Sequence, residues 1–208
     1  MRLTQNEKEE YLNFVQEYLL LKDGDRSKDE HQQFRSRILH TRRVLKWSEL
    51  LREGCDVDEK ILELGIIFHD VGYEKNDKVG HTQRGVDIFT EFAKTHSFSE
   101  EVIKSVAQMI LLHGNKKSLN ADMPMELILL MESDLMDEEG AMLIAWDCMV
   151  AGHRDAKSFE DAYRQIQRFY TSVDNPMITP HAKAFWEEKQ KLRNEFIRQF
   201  RRDLFLED

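Results

Sequence analysis

The sequence predicts an all-α fold, and three observations carry that expectation. Only three prolines and nine glycines interrupt its 208 residues. β-Branched residues rarely alternate with polar ones as a half-buried strand requires, and apolar residues recur at steps of three and four over most of the length. A first helix is expected over about Gln5 to Lys22, with Tyr11, Phe14, Val15, Tyr18 and Leu19 on one side, broken by Gly24 and the charged DRSKDE stretch. A second, about Glu30 to Arg52, aligns Phe34, Ile38, Thr41, Leu45 and Ser48 on one stripe and stops before Gly54. Asp56 or Asp58 caps a third, whose Ile61, Leu64, Ile67 and Phe68 lead to His69-Asp70 just before Gly72. The His-Asp doublet is thereby placed at a helix C-terminus, opening into the loop VGYEKNDKVG.

His81 begins the next helical segment, HTQRGVDIFTEFAKTH. Ser97 and Glu100 have capping-box spacing for a fifth helix, whose face of Val102, Val106, Met109, Ile110 and His113 ends at Gly114. Pro124 starts a sixth, with Leu127, Leu130, Met131 and Asp134 on one side, which turns Asp134 inward. An inward carboxylate is costly unless a cation or hydrogen bonds receive it. Further helices are expected at about Ala141 to Gly152, Phe159 to Ser172 and Pro180 to Phe205. In the last, Phe185, Leu192, Phe196, Phe200 and Leu204 form an apolar side that serves either the domain's own core or a second copy of the chain.

Length and 41% hydrophobic content suit one domain with a substantial core, read here as residues 1–208. The formal charge of −9 repels a polyphosphate backbone, so polymeric nucleic acid is not an expected partner, although a small phosphorylated ligand is compatible with it. Two cysteines, Cys55 and Cys148, are too few for a disulfide framework, and a reducing cytoplasm is the expected compartment. The charged start MRLTQNEKEEYLNF does not read as a signal peptide. Apolar runs such as Leu127 to Met131 fall far short of the roughly 20 residues that cross a bilayer, so no membrane association is expected.

Against this background six residues stand out: His40, the pair His69-Asp70, His81, His113 and Asp134. Imidazole nitrogen and carboxylate oxygen are the ligands that hold Mn, Fe, Mg, Co, Ni or Zn. In the order H…HD…D, carried by His40, the string FHDVGY and Asp134 in ESDLMDE, the chain resembles the HD superfamily of metal-dependent phosphohydrolases over about residues 30–140. His81 in GHTQRG and His113 in ILLHGN stand where the six-ligand, two-metal subset carries its extra histidines. The resemblance implies an HD-domain-like helical bundle with a metal-binding core at about 30–140 and a C-terminal helical extension at about 141–208, ending in the long helix. It also implies one or two divalent ions per chain.

The chemistry that follows is hydrolysis by activated water. His40, His69, Asp70 and Asp134 suffice for one open divalent site, and Asp70, having two oxygens, can bridge to a second ion held by His81 and His113. Two ions at roughly 3.5–4 Å lower the pKa of a shared water and clamp phosphoryl oxygens during in-line attack. His69 and Asp70 are thus the expected catalytic pair, and neither a G-x-S-x-G nucleophile nor a phosphate-cradling glycine loop is present. Lys75, Arg84 and Arg43 lie within a turn or two of these ligands and are candidates for holding substrate phosphate; each reads equally well as a solvated charge. Lys116 and Lys117 follow His113 in a loop. Glu74 is a candidate proton donor to the leaving group, and Asp137 either a partner for a ligand histidine or a surface carboxylate.

His31, His96, His153 and His181 read as surface or cap residues, and Trp47, Trp146 and Trp186 as core. The run of methionines from Met123 to Met149 reads as adaptable packing. The expected substrate is a small phosphorylated molecule, a nucleotide by family resemblance, with the type of bond left open. Two other readings share these ligands: a di-iron oxygenase of the kind that resembles inositol oxygenase, and a nucleotide-binding sensor without turnover.

Overall fold

A computed structural model describes residues 2–25, 36–74, 80–154, 156–167 and 174–206. The regular elements are helices, as expected: α1 (Gln5–Leu21), α2 (Arg37–Leu51), α3 (Glu59–Phe68), α4 (His81–Lys94), α5 (Glu100–Leu112), α6 (Met125–Asp137), α7 (Ala141–Arg154), α8 (Phe159–Gln167) and α9 (Pro180–Asp203). They divide into two compact units, Met1–Asp134 and Leu135–Asp208. None is long and apolar enough to cross a membrane among the described residues.

In the first unit α3 is the central element, in contact with α1, α2 and α5. Its sequence is apolar on nearly every side, so every residue from Leu62 to Asp70 is buried. Leu64, Ile67 and Phe68 join Tyr11, Val15 and Leu19 of α1 and Phe89 and Phe92 of α4 in one apolar cluster. Each such side chain contributes about 1.5–3 kcal/mol by burial. Within it, Phe68 meets Phe89 and Phe92 at centroid separations of 5.1 and 4.8 Å. Polar side chains set the helix ends. Thr4 and Glu7 form a capping box at α1, and Asp58, the second of the two expected caps, accepts from the amides of Lys60 and Ile61 at α3.

Ser36 caps α2 at Arg37, and the buried Asp25 carboxylate takes both the Ser36 hydroxyl (3.0 Å) and the Ile38 amide (2.9 Å); the expected start near Glu30 lies outside the described residues. Phe34 and His31 lie outside the described residues. At α5 the cap is Ser99, which accepts from the Val102 amide, and not Ser97; its neighbours Glu100 and Glu101 place negative charge in the first turn.

In the second unit α7, α8 and α9 pack on one another, and Ala151, Tyr163, Ile166, Met177, Ala182 and Trp186 are buried. The buried Arg193 donates to both carboxylate oxygens of Glu139 at 3.2 and 3.1 Å, and Lys189 donates to the Glu139 carbonyl at 3.1 Å. The methionines split between roles: Met131 and Met136 are fully buried, whereas Met142 and Met149 are 42% and 48% exposed and do not serve as packing. Trp47 and Trp146 are half-buried. His153 and His181 are exposed, but His96 stacks on Phe92 with centroids 3.9 Å apart and is half-buried.

Candidate metal centre

The six singled-out residues all belong to the first unit and sit at or near helix ends: His40 in the first turn of α2, His69 closing α3 with Asp70 beside it, His81 opening α4, His113 closing α5, and Asp134 late in α6. Position at a helix C-terminus supplies an anchor. The last carbonyls of a helix lack intrahelical donors, and two of these imidazoles use them: His69 Nδ1 lies 2.7 Å from the Ile66 carbonyl and His113 Nδ1 2.7 Å from the Ile110 carbonyl. A carbonyl only accepts, so each Nδ1 carries the proton and each Nε2 turns its lone pair toward the cluster.

The ligand atoms form two groups, His40–His69–Asp134 and Asp70–His81–His113, each with its atoms within 4.8 Å of one another. In the first, His40 Nε2 is 3.1 Å from Asp134 Oδ1 and 3.4 Å from His69 Nε2. Asp70 turns Oδ2 toward that group, 3.5 Å from His69 Nε2 and 3.8 Å from His40 Nε2, and Oδ1 toward the other, 3.4 Å from His113 Nε2. Ligands about 2.0–2.2 Å from a common ion in tetrahedral or octahedral array would stand roughly 3.0–3.5 Å apart, and most of these separations fit that spacing. His40, His69, Asp70, His113 and Asp134 are buried and His81 is half-buried, so the second group is the more accessible.

Electrostatics agree with a cation-binding role. Burial pushes the His69 imidazole down to about 4, so it stands neutral, the form that ligates. Burial alone would raise the Asp70 and Asp134 carboxyls. It is outweighed at Asp70 by the Arg37 guanidinium beside it, and at Asp134 by Lys116 and the hydrogen bond with His40, so both are held well below the usual range. Groups that could hold a divalent metal are therefore present, with His69 neutral and Asp70 and Asp134 ionised.

Of the cations against the ligand carboxylates, Lys116 is among those the sequence named and Arg37 is not. Arg37, one turn before His40, donates from Nη1 to Asp70 Oδ2 at 2.9 Å, and Lys116, in a short 3-10 turn, pairs with Asp134. Arg84 points its Nε at the Gly72 carbonyl (3.0 Å) with Glu74 4.0 Å away, and Arg43 is half-buried on α2. Lys75 lies outside the described residues. Asp137 is buried, which removes the surface-carboxylate reading. Arg37 was visible as the residue three before His40 on the same helix face, and Tyr73, which stacks on His81 at 4.2 Å, as the aromatic beside the doublet. Neither spacing distinguishes a contact from a surface residue.

A sequence model of the HD domain matches residues 37–142. Among solved structures, an HD-superfamily hydrolase from Bacillus thuringiensis is 20% identical, with 98% of this chain and 99% of that one covered at a TM-score of 0.67. A predicted HD-superfamily hydrolase from an uncultured Thermotogales bacterium is 19% identical over 94% and 92% of the two chains, at 0.63. Bacillus subtilis YpgQ in complex with ADP is 21% identical over 94% and 97%, at 0.61. No curated protein sequence matches significantly.

Proposed function

Because the chain belongs to the HD-domain family and carries His and Asp groups that could hold a divalent metal, we propose that it is a metal-dependent phosphohydrolase acting on a small phosphorylated molecule, with a nucleotide as substrate class. The observation that carries the proposal is the division of labour at Asp70, whose two oxygens face two different ligand groups. On this reading His40, His69 and Asp134 would hold one ion and Asp70, His81 and His113 a second. Two such ions supply a lowered water pKa at neutral pH and neutralise charge developing on phosphoryl oxygens.

The chain's own residues then have separable tasks. His69 and His113, pinned through Nδ1, present fixed Nε2 atoms and resist rotation during turnover. Asp70 and Asp134, ionised throughout the neutral range, balance the cations. Arg37 and Lys116 already sit on those carboxylates and are placed to meet a substrate anion, as Arg84 is from the first turn of α4. Glu74, whose carboxylate lies 4.0 Å from the Arg84 guanidinium, is the candidate proton donor to the leaving group. The ADP complex of YpgQ, a protein of the same fold, supports a nucleotide as the class to test first.

The test is phosphate release from nucleoside mono-, di- and triphosphates with Mn, Mg, Co, Ni or Fe, alongside metal content. Release that vanishes with chelator and in both His69→Ala and Asp70→Ala, with helical signal retained, is expected. Turnover indifferent to chelation, or oxygen uptake on a non-phosphorylated polyol in its place, would overturn the proposal.

A further inference from the structure

One aromatic ring links two members of the Asp70–His81–His113 group. Tyr73 stacks on the His81 imidazole with centroids 4.2 Å and planes 22° apart, and the Arg37 guanidinium carbon lies 4.0 Å from the centroid of the same ring. Two planar groups so near one centroid would overlap if they shared a face, so the ring is clamped between them. Arg37 in turn donates to Asp70 Oδ2 at 2.9 Å. The contacts form a chain, Asp70 to Arg37 to Tyr73 to His81, whose far end is a ligand of the second group and whose Asp70 end is Oδ2, the oxygen turned toward the first. Its backbone is fixed as well: the Tyr73 amide donates to the Asp70 carbonyl at 3.2 Å, and Gly24 packs so closely on the Tyr73 carbonyl that a Cβ there would lie 2.0 Å from its oxygen.

We propose that Tyr73 is a positioning residue for the second metal, its ring setting the orientation of the His81 imidazole. The inference rests on the two-ion reading above. The His40–His69–Asp134 group is oriented by other means, with His69 tied to the Ile66 carbonyl and Asp134 to His40 and Lys116. Loss of the ring therefore separates the two ions' affinities, which a general loosening of the fold does not do.

The experiment is equilibrium dialysis of metal-stripped protein against Mn²⁺, with ions per chain and both affinities measured. Wild type and Tyr73→Phe, which keeps the ring, should bind two ions alike. Tyr73→Leu should keep one ion at wild-type affinity and hold the other about 10–100-fold more weakly, the usual effect of removing a contact that orients a ligand. Tyr73→Met carries the same expectation, so a folding defect peculiar to leucine does not decide the outcome. Two ions bound normally by both ring-less variants, or both ions weakened equally, would overturn the role of Tyr73 alone. Fewer than two ions in the wild type would instead remove the two-ion reading, and this inference with it.

Discussion

Replacing Gly72 by alanine tests whether the turn after the His-Asp doublet places His81. A Cβ on Gly72 would lie 2.0 Å from the His81 carbonyl oxygen and 2.5 Å from the Gly85 amide nitrogen. Those two atoms are separated by four residues, the spacing of a helical hydrogen bond, so Gly72 rests directly on the first turn of α4. Real Cβ contacts essentially never fall below 3.0 Å, so the turn and α4 must part by about 1 Å. Both obstacles are backbone and cannot rotate aside. The alanine gains about 0.4–1 kcal/mol by restricting the unfolded chain, against an overpacking cost of about 1–3 kcal/mol or more. A net loss of about 2 kcal/mol is expected by urea unfolding of metal-free protein. Ligand distances tolerate only about 0.2 Å, so the same shift should also weaken the ion that His81 holds. Gly85→Ala is the milder contrast, since its Cβ falls below 3.0 Å only against the Ile110 Cγ2 methyl, at 2.9 Å, which must give by a few tenths of an ångström, and it should cost less than Gly72→Ala. A Gly72→Ala protein as stable as wild type with full metal content would refute this reasoning.

Two further outcomes follow from the first unit. Glu63, buried on α3, holds the N-terminal segment through Arg2 (2.9 Å), Lys8 (2.6 Å) and the Leu3 amide (3.1 Å). Glu63→Gln leaves the largely buried Lys8 uncompensated and should cost about 2 kcal/mol in denaturant unfolding, discounted because Arg2 is half in solvent; an unchanged midpoint would refute it. Acid sensitivity follows from His69, whose imidazole is pushed from 6.5 to about 4. Between those values the unfolded chain binds the extra proton, so stability falls as pH drops through that window, by up to about 3 kcal/mol in metal-free protein. The depressed Asp70 and Asp134 carboxyls add a loss that sets in below their ordinary value near 3.8. Urea midpoints from pH 7 to 4.5 should decline less steeply for His69→Gln; parallel declines would show that burial of this imidazole is not the cause.

Much of this molecule was legible without coordinates because helices announce themselves locally. The stripe on α1, the cap at Asp58, the start of α4 at His81 and the inward turn of Asp134 each follow from residues three or four apart. Where two polar residues competed for one cap, as at Ser97 and Ser99, spacing alone picked the wrong one, since a cap is decided by which amide the side chain reaches.

The ligand types and their order were likewise written in the sequence, and six candidates proved to lie in two adjoining groups. How they divide was not. That Asp70 shows one oxygen to each group, that Arg37 rather than a more distant cation meets it, and that Tyr73 stands between Arg37 and His81 depend on α2, α3 and α4 approaching within a few ångströms. Periodicity records which face of a helix is buried but not which residue it meets across the gap, so those contacts came only from the packed helices.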